Sequence, residues 1–415
     1  MRIGFLFNHD ATHQLPHTIM VAAALAKAGA DVEILTSSAE QHALAREMMP
    51  IGSNVRFTQL RFGQLGRTID HVLHAVAPYR RIAILKENLN VFAALEALVV
   101  PETTSTILKT RFGLSSLKLI YLPHGAGDGA AGFQKITRHF DLVLLSGEKV
   151  RDRMLAKGLI RRDGYAVIGY PKYDFVDARP CARLFDNGKP TVIYNPHFNP
   201  LLSSWYTIGE QVLDWFASQR NYNLVFAPHI MLFKRRIHTS IINRKMRIRS
   251  ALPTRFRGLS NIIVDTGSSN LIDMSYTRSA DIYLGDVSSQ IYEWIRWPRP
   301  AIFFDTRKTD WKKDPHYEQW FLGDVIHDVS MLPRALESAT KHLEVYAPLQ
   351  RAAWANTFSF SDKPAASRAA EAILEYMARH GSESRIYGGG HSLAQEIRVA
   401  NGKWDGDIFR GGAEG

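Results

Sequence analysis

Four segments of the chain carry residue types that could move a proton and hold a diphosphate: LPHGAGDG (122–129), YNPHFNP (194–200), VFAPH (225–229) and YLGDVSSQIYEW (283–294). In the first, His124 follows an apolar run, and Gly125, Gly127 and Gly129 let the backbone approach a ligand closely. An imidazole titrates near neutrality, so His124 could take the proton of an acceptor hydroxyl. It could equally do no more than hydrogen-bond a tight turn. Asp128 offers a second base beside it. His229 and His197 each end an apolar run, where a donor phosphate would meet them. Asp286 precedes the pair Ser288-Ser289 at what reads as a helix start. Exposed N–H groups and hydroxyls there suit an anion, although serine is also an ordinary helix cap. Glu293 follows about one turn later, on a face that could reach a ribose diol. Lys172, in GYPKYD (169–174), could touch a donor phosphate or stay solvated in a linker.

These residues need a frame that aims them at one place, and the apolar pattern supplies one. RIGFLF (2–7), DVEILT (31–36), RRIAILKE (80–87), KLIYLP (118–123) and DLVLLSG (141–147) read as strands buried on both faces, with helical patterns at 18–29 and 39–48. A Gly- and Pro-punctuated break falls at 167–180. The alternation then restarts with strands at 191–196, 221–229, 261–265, 281–286 and 300–305. Helices are expected near 203–218, 268–277, 288–297, 332–346 and 365–380. The predicted fold is α/β: two Rossmann-like, doubly wound parallel-sheet domains facing a cleft, over 1–170 and 171–385, with a loose tail over 386–415. In such sheets ligands sit beyond the carboxyl ends of strands, where the histidines and serines fall.

Composition narrows the compartment and the partners. A lone cysteine, Cys181, precludes an internal disulfide and suits a reducing environment. The first apolar run is too short for a secretory signal, and no stretch approaches the ~20 apolar residues of a membrane span. The expectation is a cytoplasmic protein. The net charge of +11 calls for an anionic partner. It concentrates in 233–258, which holds nine Lys or Arg and no acid. That run could dock on anionic lipid, line a channel for a polyanionic acceptor, or form a solvated helix face. No nucleic-acid signature accompanies it. Walker A, GxGxxG after the first strand, HExxH and GxSxG are all missing, which disfavours ATPase, dehydrogenase, zincin and α/β-hydrolase chemistry.

At these residues the sequence resembles the CDP-glycerol glycerophosphotransferase family, which builds teichoic-acid-type polymers on a fold similar to GT-B glycosyltransferases. The resemblance rests on His124-Gly125, on Gly169, Pro171, Lys172 and Asp174 in the linker, on Tyr194 and Pro196, on His229, and on Asp286 before Ser288 and Ser289. It spans roughly 120–305. The family usually has Trp before the first histidine and Thr-Pro after its glycine, where this chain has Pro123 and Ala126-Gly127. It has proline after the second histidine and an aromatic before the serine pair, where this chain has Ile230 and Val287. The resemblance implies that His124 is the base and that His229, Ser288 and Ser289 hold the donor pyrophosphate. It also implies work at the cytoplasmic membrane face without bound metal or cofactor. The partners expected are a nucleotide-activated donor and a lipid-linked or saccharide acceptor. Two rival readings are a sugar-nucleotide glycosyltransferase or UDP-N-acetylglucosamine 2-epimerase-like enzyme, and a non-catalytic membrane- or polyanion-binding protein.

Overall fold

The computed structural model describes residues 1–8, 12–63, 79–125, 133–181, 183–240 and 245–387. Asp128 and the tail beyond Tyr387 lie outside the described residues.

The apolar runs form two all-parallel sheets. The first contains β1 (Arg2–Phe7), β2 (Asp31–Thr36), β3 (Val55–Gln59), β4 (Ala97–Val100), β5 (Lys118–Tyr121), β6 (Leu142–Leu145) and β7 (Tyr165–Val167), in the order β3-β2-β1-β4-β5-β6-β7. The second contains β8 (Thr191–Asn195), β9 (Asn223–Phe226), β12 (Ile262–Val264), β13 (Ile282–Gly285), β14 (Ala301–Phe304) and β15 (Asp324–Ile326), in the order β12-β9-β8-β13-β14-β15. Between β9 and β12, β10 (Ile237–Ser240) and β11 (Lys245–Ile248) make a separate antiparallel ribbon. Strand order reverses between β1 and β4 and again between β8 and β13. Each reversal opens a crevice at the carboxyl ends.

Several expectations need correction. The run 80–87 is a helix, Tyr79–Glu87, which buries Ile84 and Leu85 and carries Arg80, Arg81 and Lys86, all good helix formers. A short apolar run does not separate helix from strand by period alone. The strand that fills its place is β4, whose four buried residues ALVV directly follow a helical stretch. The 288–297 helix shrinks to Gln290–Trp294, and 268–277 to a turn of 3-10 helix and Ser275–Ser279. The basic stretch 233–258 is built around the ribbon instead of a helix.

The linker is a built element as well. Residues 171–177 form the helix Pro171–Asp177, packed on the first helix, Leu15–Lys27. The last helix, Ala365–Tyr387, packs on that same first helix, so the described chain returns to the domain in which it began. Asp174 accepts hydrogen bonds from the N–H groups of Ala365 (3.3 Å) and Ala366 (2.6 Å), which caps the returning helix. One apolar cluster runs through both domains and includes Tyr170, Tyr173, Trp294 and Phe358. Among the described residues no helix is long and apolar enough to cross a membrane.

Candidate active site

In the first domain, β5 ends at Tyr121 and the chain delivers His124 half-buried above the crevice. Its Nδ1 lies 2.7 Å from the Pro101 carbonyl, just past the end of β4. Only an N–H can bond a carbonyl, so Nδ1 carries the proton and Nε2 the lone pair. That is the tautomer a general base requires. Gln14 Nε2 approaches the same nitrogen at 3.5 Å. Two further histidines follow β1: the ring of His13 is 5.2 Å from that of His124, and the ring of His17 is 6.4 Å away. The sequence reading missed this pair. Its signal is two histidines four apart directly after a strand. Burial holds the pKa of His17 well below its ordinary value, and Lys172 and His124 push the same way.

The second domain presents histidines of the opposite tautomer. His229 caps the helix Ile230–Lys234, its Nδ1 accepting from the Met231 N–H at 3.2 Å. His197 Nδ1 accepts from the Asn199 N–H at 3.0 Å. Each neutral ring therefore carries its proton on Nε2 and can donate it to a ligand oxygen. Phe198 packs 4.6 Å from both rings, which lie 5.3 Å from each other. Burial lowers His197 to about 4 and holds His229 well below its ordinary value, with His197 and the other histidines adding to the effect on His229. Both are neutral near pH 7.

The two sets share one cleft. His13 lies 6.0 Å from His229 across it. A Cβ built on Gly125 would stand 3.8 Å from Ser289 Oγ, so the His124-Gly125 loop faces the serine pair directly.

The donor-side serines are less open than expected. The Gln319 amide, oriented to satisfy both groups, accepts from the Ser288 N–H (3.0 Å) and donates to the Ser288 carbonyl (3.2 Å). Ser288 Oγ accepts from the Gln290 N–H at 3.3 Å, and Ser288 is buried. Exposed Ser289 is what the segment offers the cleft. Asp286 is wholly buried. Its Oδ2 accepts from the N–H groups of His197 (2.8 Å) and Ser204 (2.9 Å), which ties down the loop that carries His197. Its Oδ1 is buried without a partner, and burial raises the carboxyl to about 7. Asp286 thus acts on the site through a loop.

Lys172 and Glu293 bond each other. Lys172 Nζ donates to both Glu293 oxygens at 2.6 and 2.8 Å, Tyr170 donates to one of them at 2.9 Å, and all three residues are buried. The expectation that Lys172 meets a phosphate and Glu293 a ribose gives way to a buried link between the Pro171–Asp177 helix and the Gln290–Trp294 helix. Neither group is presented to the cleft. Among the described residues no group of three or more His, Cys, Asp or Glu is placed to hold a metal ion.

A model of the family described as CDP-Glycerol:Poly(glycerophosphate) glycerophosphotransferase matches residues 90–375. The chain belongs to this family. It is therefore a transferase that uses a nucleotide-activated donor. A search of curated proteins by sequence returned no match. Solved structures share the fold of this glycerophosphotransferase-family chain at low identity. The wall teichoic acid polymerase TagF aligns over 92% of this chain and 90% of its own, at 14% identity and a TM-score of 0.59. A putative UDP-N-acetylglucosamine 2-epimerase from Listeria monocytogenes aligns over 92% and 97%, at 14% identity and a TM-score of 0.56. The UDP-GlcNAc 2-epimerase from Neisseria meningitidis, bound to UDP-GlcNAc, aligns over 91% and 100%, at 13% identity and a TM-score of 0.54.

The buried groups of this glycerophosphotransferase relative pull its stability in opposite directions with pH. His17, His197 and His229 have folded pKa values below the ordinary 6.5. The unfolded chain then binds more protons below that value, and stability is lost as pH falls through it. Asp286 is raised from 3.8 to about 7, so its contribution shrinks as pH climbs through that window. Asp286→Asn removes only the second effect. The variant is expected to gain up to about 4 kcal/mol over the parent near pH 8, since each tenfold change in proton affinity is worth about 1.4 kcal/mol. It should also lose stability more steeply between about pH 7 and 5. Urea melts at each pH check this, and equal slopes for both proteins would refute it.

Proposed function

We propose that this protein transfers glycerophosphate from a CDP-glycerol-like donor to an acceptor hydroxyl in the synthesis of a cell-surface polymer. The acceptor oxygen attacks the glycerol-bearing phosphorus, and its proton passes to His124 Nε2. A phosphorus–oxygen bond forms to the acceptor as the one to the nucleotide breaks, and CMP departs. His229 and His197 donate Nε2–H bonds to the diphosphate oxygens, and Ser289 adds its hydroxyl. Phosphoryl transfer asks little covalent work of a protein beyond such positioning and charge stabilisation. The observation that carries this reading is the opposition of the His124-Gly125 loop to Ser289 across the cleft, with an acceptor nitrogen on one side and donor nitrogens on the other. The acceptor is a lipid-linked or saccharide hydroxyl.

A donor panel tests it. CDP-glycerol is expected to raise the melting temperature and to yield CMP with an acceptor present. A ligand at about a hundred times its dissociation constant stabilises the fold by about 2.7 kcal/mol. Nucleotide sugars should do neither. Stabilisation by UDP-GlcNAc with release of UDP would sink the glycerophosphate assignment and favour a glycosyl or epimerase reaction.

A further inference from the structure

The β10–β11 ribbon belongs to neither sheet. Its register sets Ile237 opposite Ile248, His238 opposite Arg247 and Thr239 opposite Met246. Side chains alternate along a strand, so Ile237, Met246 and Ile248 share one face and His238 lies on the other. The His238 face is fixed to the domain. His238 is buried, its Nε2 lies 3.0 Å from the carbonyls of Leu232 and Arg235, and its ring sits 6.2 Å from Phe198 and 6.4 Å from Tyr206. The opposite face looks outward, with Ile237 53% exposed and Met246 and Ile248 each 63% exposed. Lys234, Arg235, Arg236 and Arg247 are exposed around it. Among the described residues no ion pair reaches Arg235, Arg236 or Arg247, whereas Arg255, farther along, is held by Glu210 and Asp214.

We infer that the outer face of this ribbon docks on an anionic phospholipid bilayer. The isoleucines and methionine enter the boundary between headgroups and acyl chains, and the arginines meet lipid phosphates. The apolar triplet chooses the partner. A soluble polyanion offers nothing to Ile237 or Ile248, and a second copy of the ribbon would set arginine against arginine. A bilayer supplies both halves of the match. Docking also fixes where the cleft lies. Phe198, which His238 touches, packs on His197 and His229, so the donor histidines sit just behind the docked face.

Flotation of the full chain with phosphatidylcholine vesicles containing about a third phosphatidylglycerol tests the inference. The parent chain is expected to float with these vesicles, to stay behind with pure phosphatidylcholine, and to be released by salt. The triple variant Ile237→Ser/Met246→Ser/Ile248→Ser should bind at least about tenfold more weakly. A second variant, Arg235→Glu/Arg236→Glu/Arg247→Glu, should not float at all. Both should keep the parent's melting temperature and CMP release, which separates this surface from the catalytic reading. The inference is overturned if the parent ignores anionic vesicles, if it binds neutral ones equally, or if the serine variant floats like the parent. Equal retention of parent and serine variant on immobilised polyphosphate, without flotation, would mark a polyanion surface and overturn it as well.

Discussion

With His124 changed to alanine, CMP release is expected to fall by about 10²- to 10⁴-fold, the usual worth of a positioned general base, while donor affinity stays near that of the parent. The separation of the two effects follows from where the residues reside. His124 belongs to the first domain and is oriented by Pro101, and the donor-side imidazoles are oriented by backbone groups of the second. Removing the base leaves the oxyanion contacts untouched. Single-turnover kinetics and calorimetric titration of CDP-glycerol check the two halves. His229→Ala should do the reverse and weaken donor binding, because its Nε2–H is lost and no neighbour replaces it. If His124→Ala abolished donor binding but left turnover at saturation intact, the assignment of sides would be wrong.

The second large effect concerns stability. Glu293→Ala strands the Lys172 ammonium in a buried site, and Lys172→Ala strands the Glu293 carboxylate. Breaking one half of such a pair costs roughly 3–5 kcal/mol, because the remaining charge has neither water nor partner. Replacing both with apolar residues of similar size, as in Lys172→Met/Glu293→Leu, should recover most of the loss, since no charge is left behind. A double-mutant cycle from urea melts measures the coupling. The cycle also decides the role of Glu293. Were it a ribose ligand, Glu293→Ala would fold with normal stability and lose nucleotide affinity instead.

How much of this was legible before folding depends on where the information lies along the chain. Central parallel strands are apolar throughout, so β1, β5, β6, β8 and β13 stood out, and the residues just past them could be picked as site candidates. β3 was hidden because it is an edge strand, half-exposed and mixed in composition. The serines were legible as a helix start, but Gln319, which occupies the Ser288 N–H, comes from an unrelated segment and leaves no local trace. The same holds for Lys172 and Glu293, 121 residues apart in sequence: each looks like an available charge until the fold brings them together. His13 and His17 were visible but unread, since their relevance depends on β1 lying at the reversal of strand order.

The return of the last helix to the first domain has a consequence for how the two lobes can move. The backbone passes between them twice, once beyond Asp177 and once near Phe358, where Gly147 leaves room for the Thr357 carbonyl and Ser359 bonds Ser146. Two such straps permit the lobes to open like a book about the line joining them and resist swivelling. They also mean that a gene cut near codon 180 would yield a front half missing part of its own wall, with the groove for Ile373, Tyr376 and Met377 laid bare on its first helix.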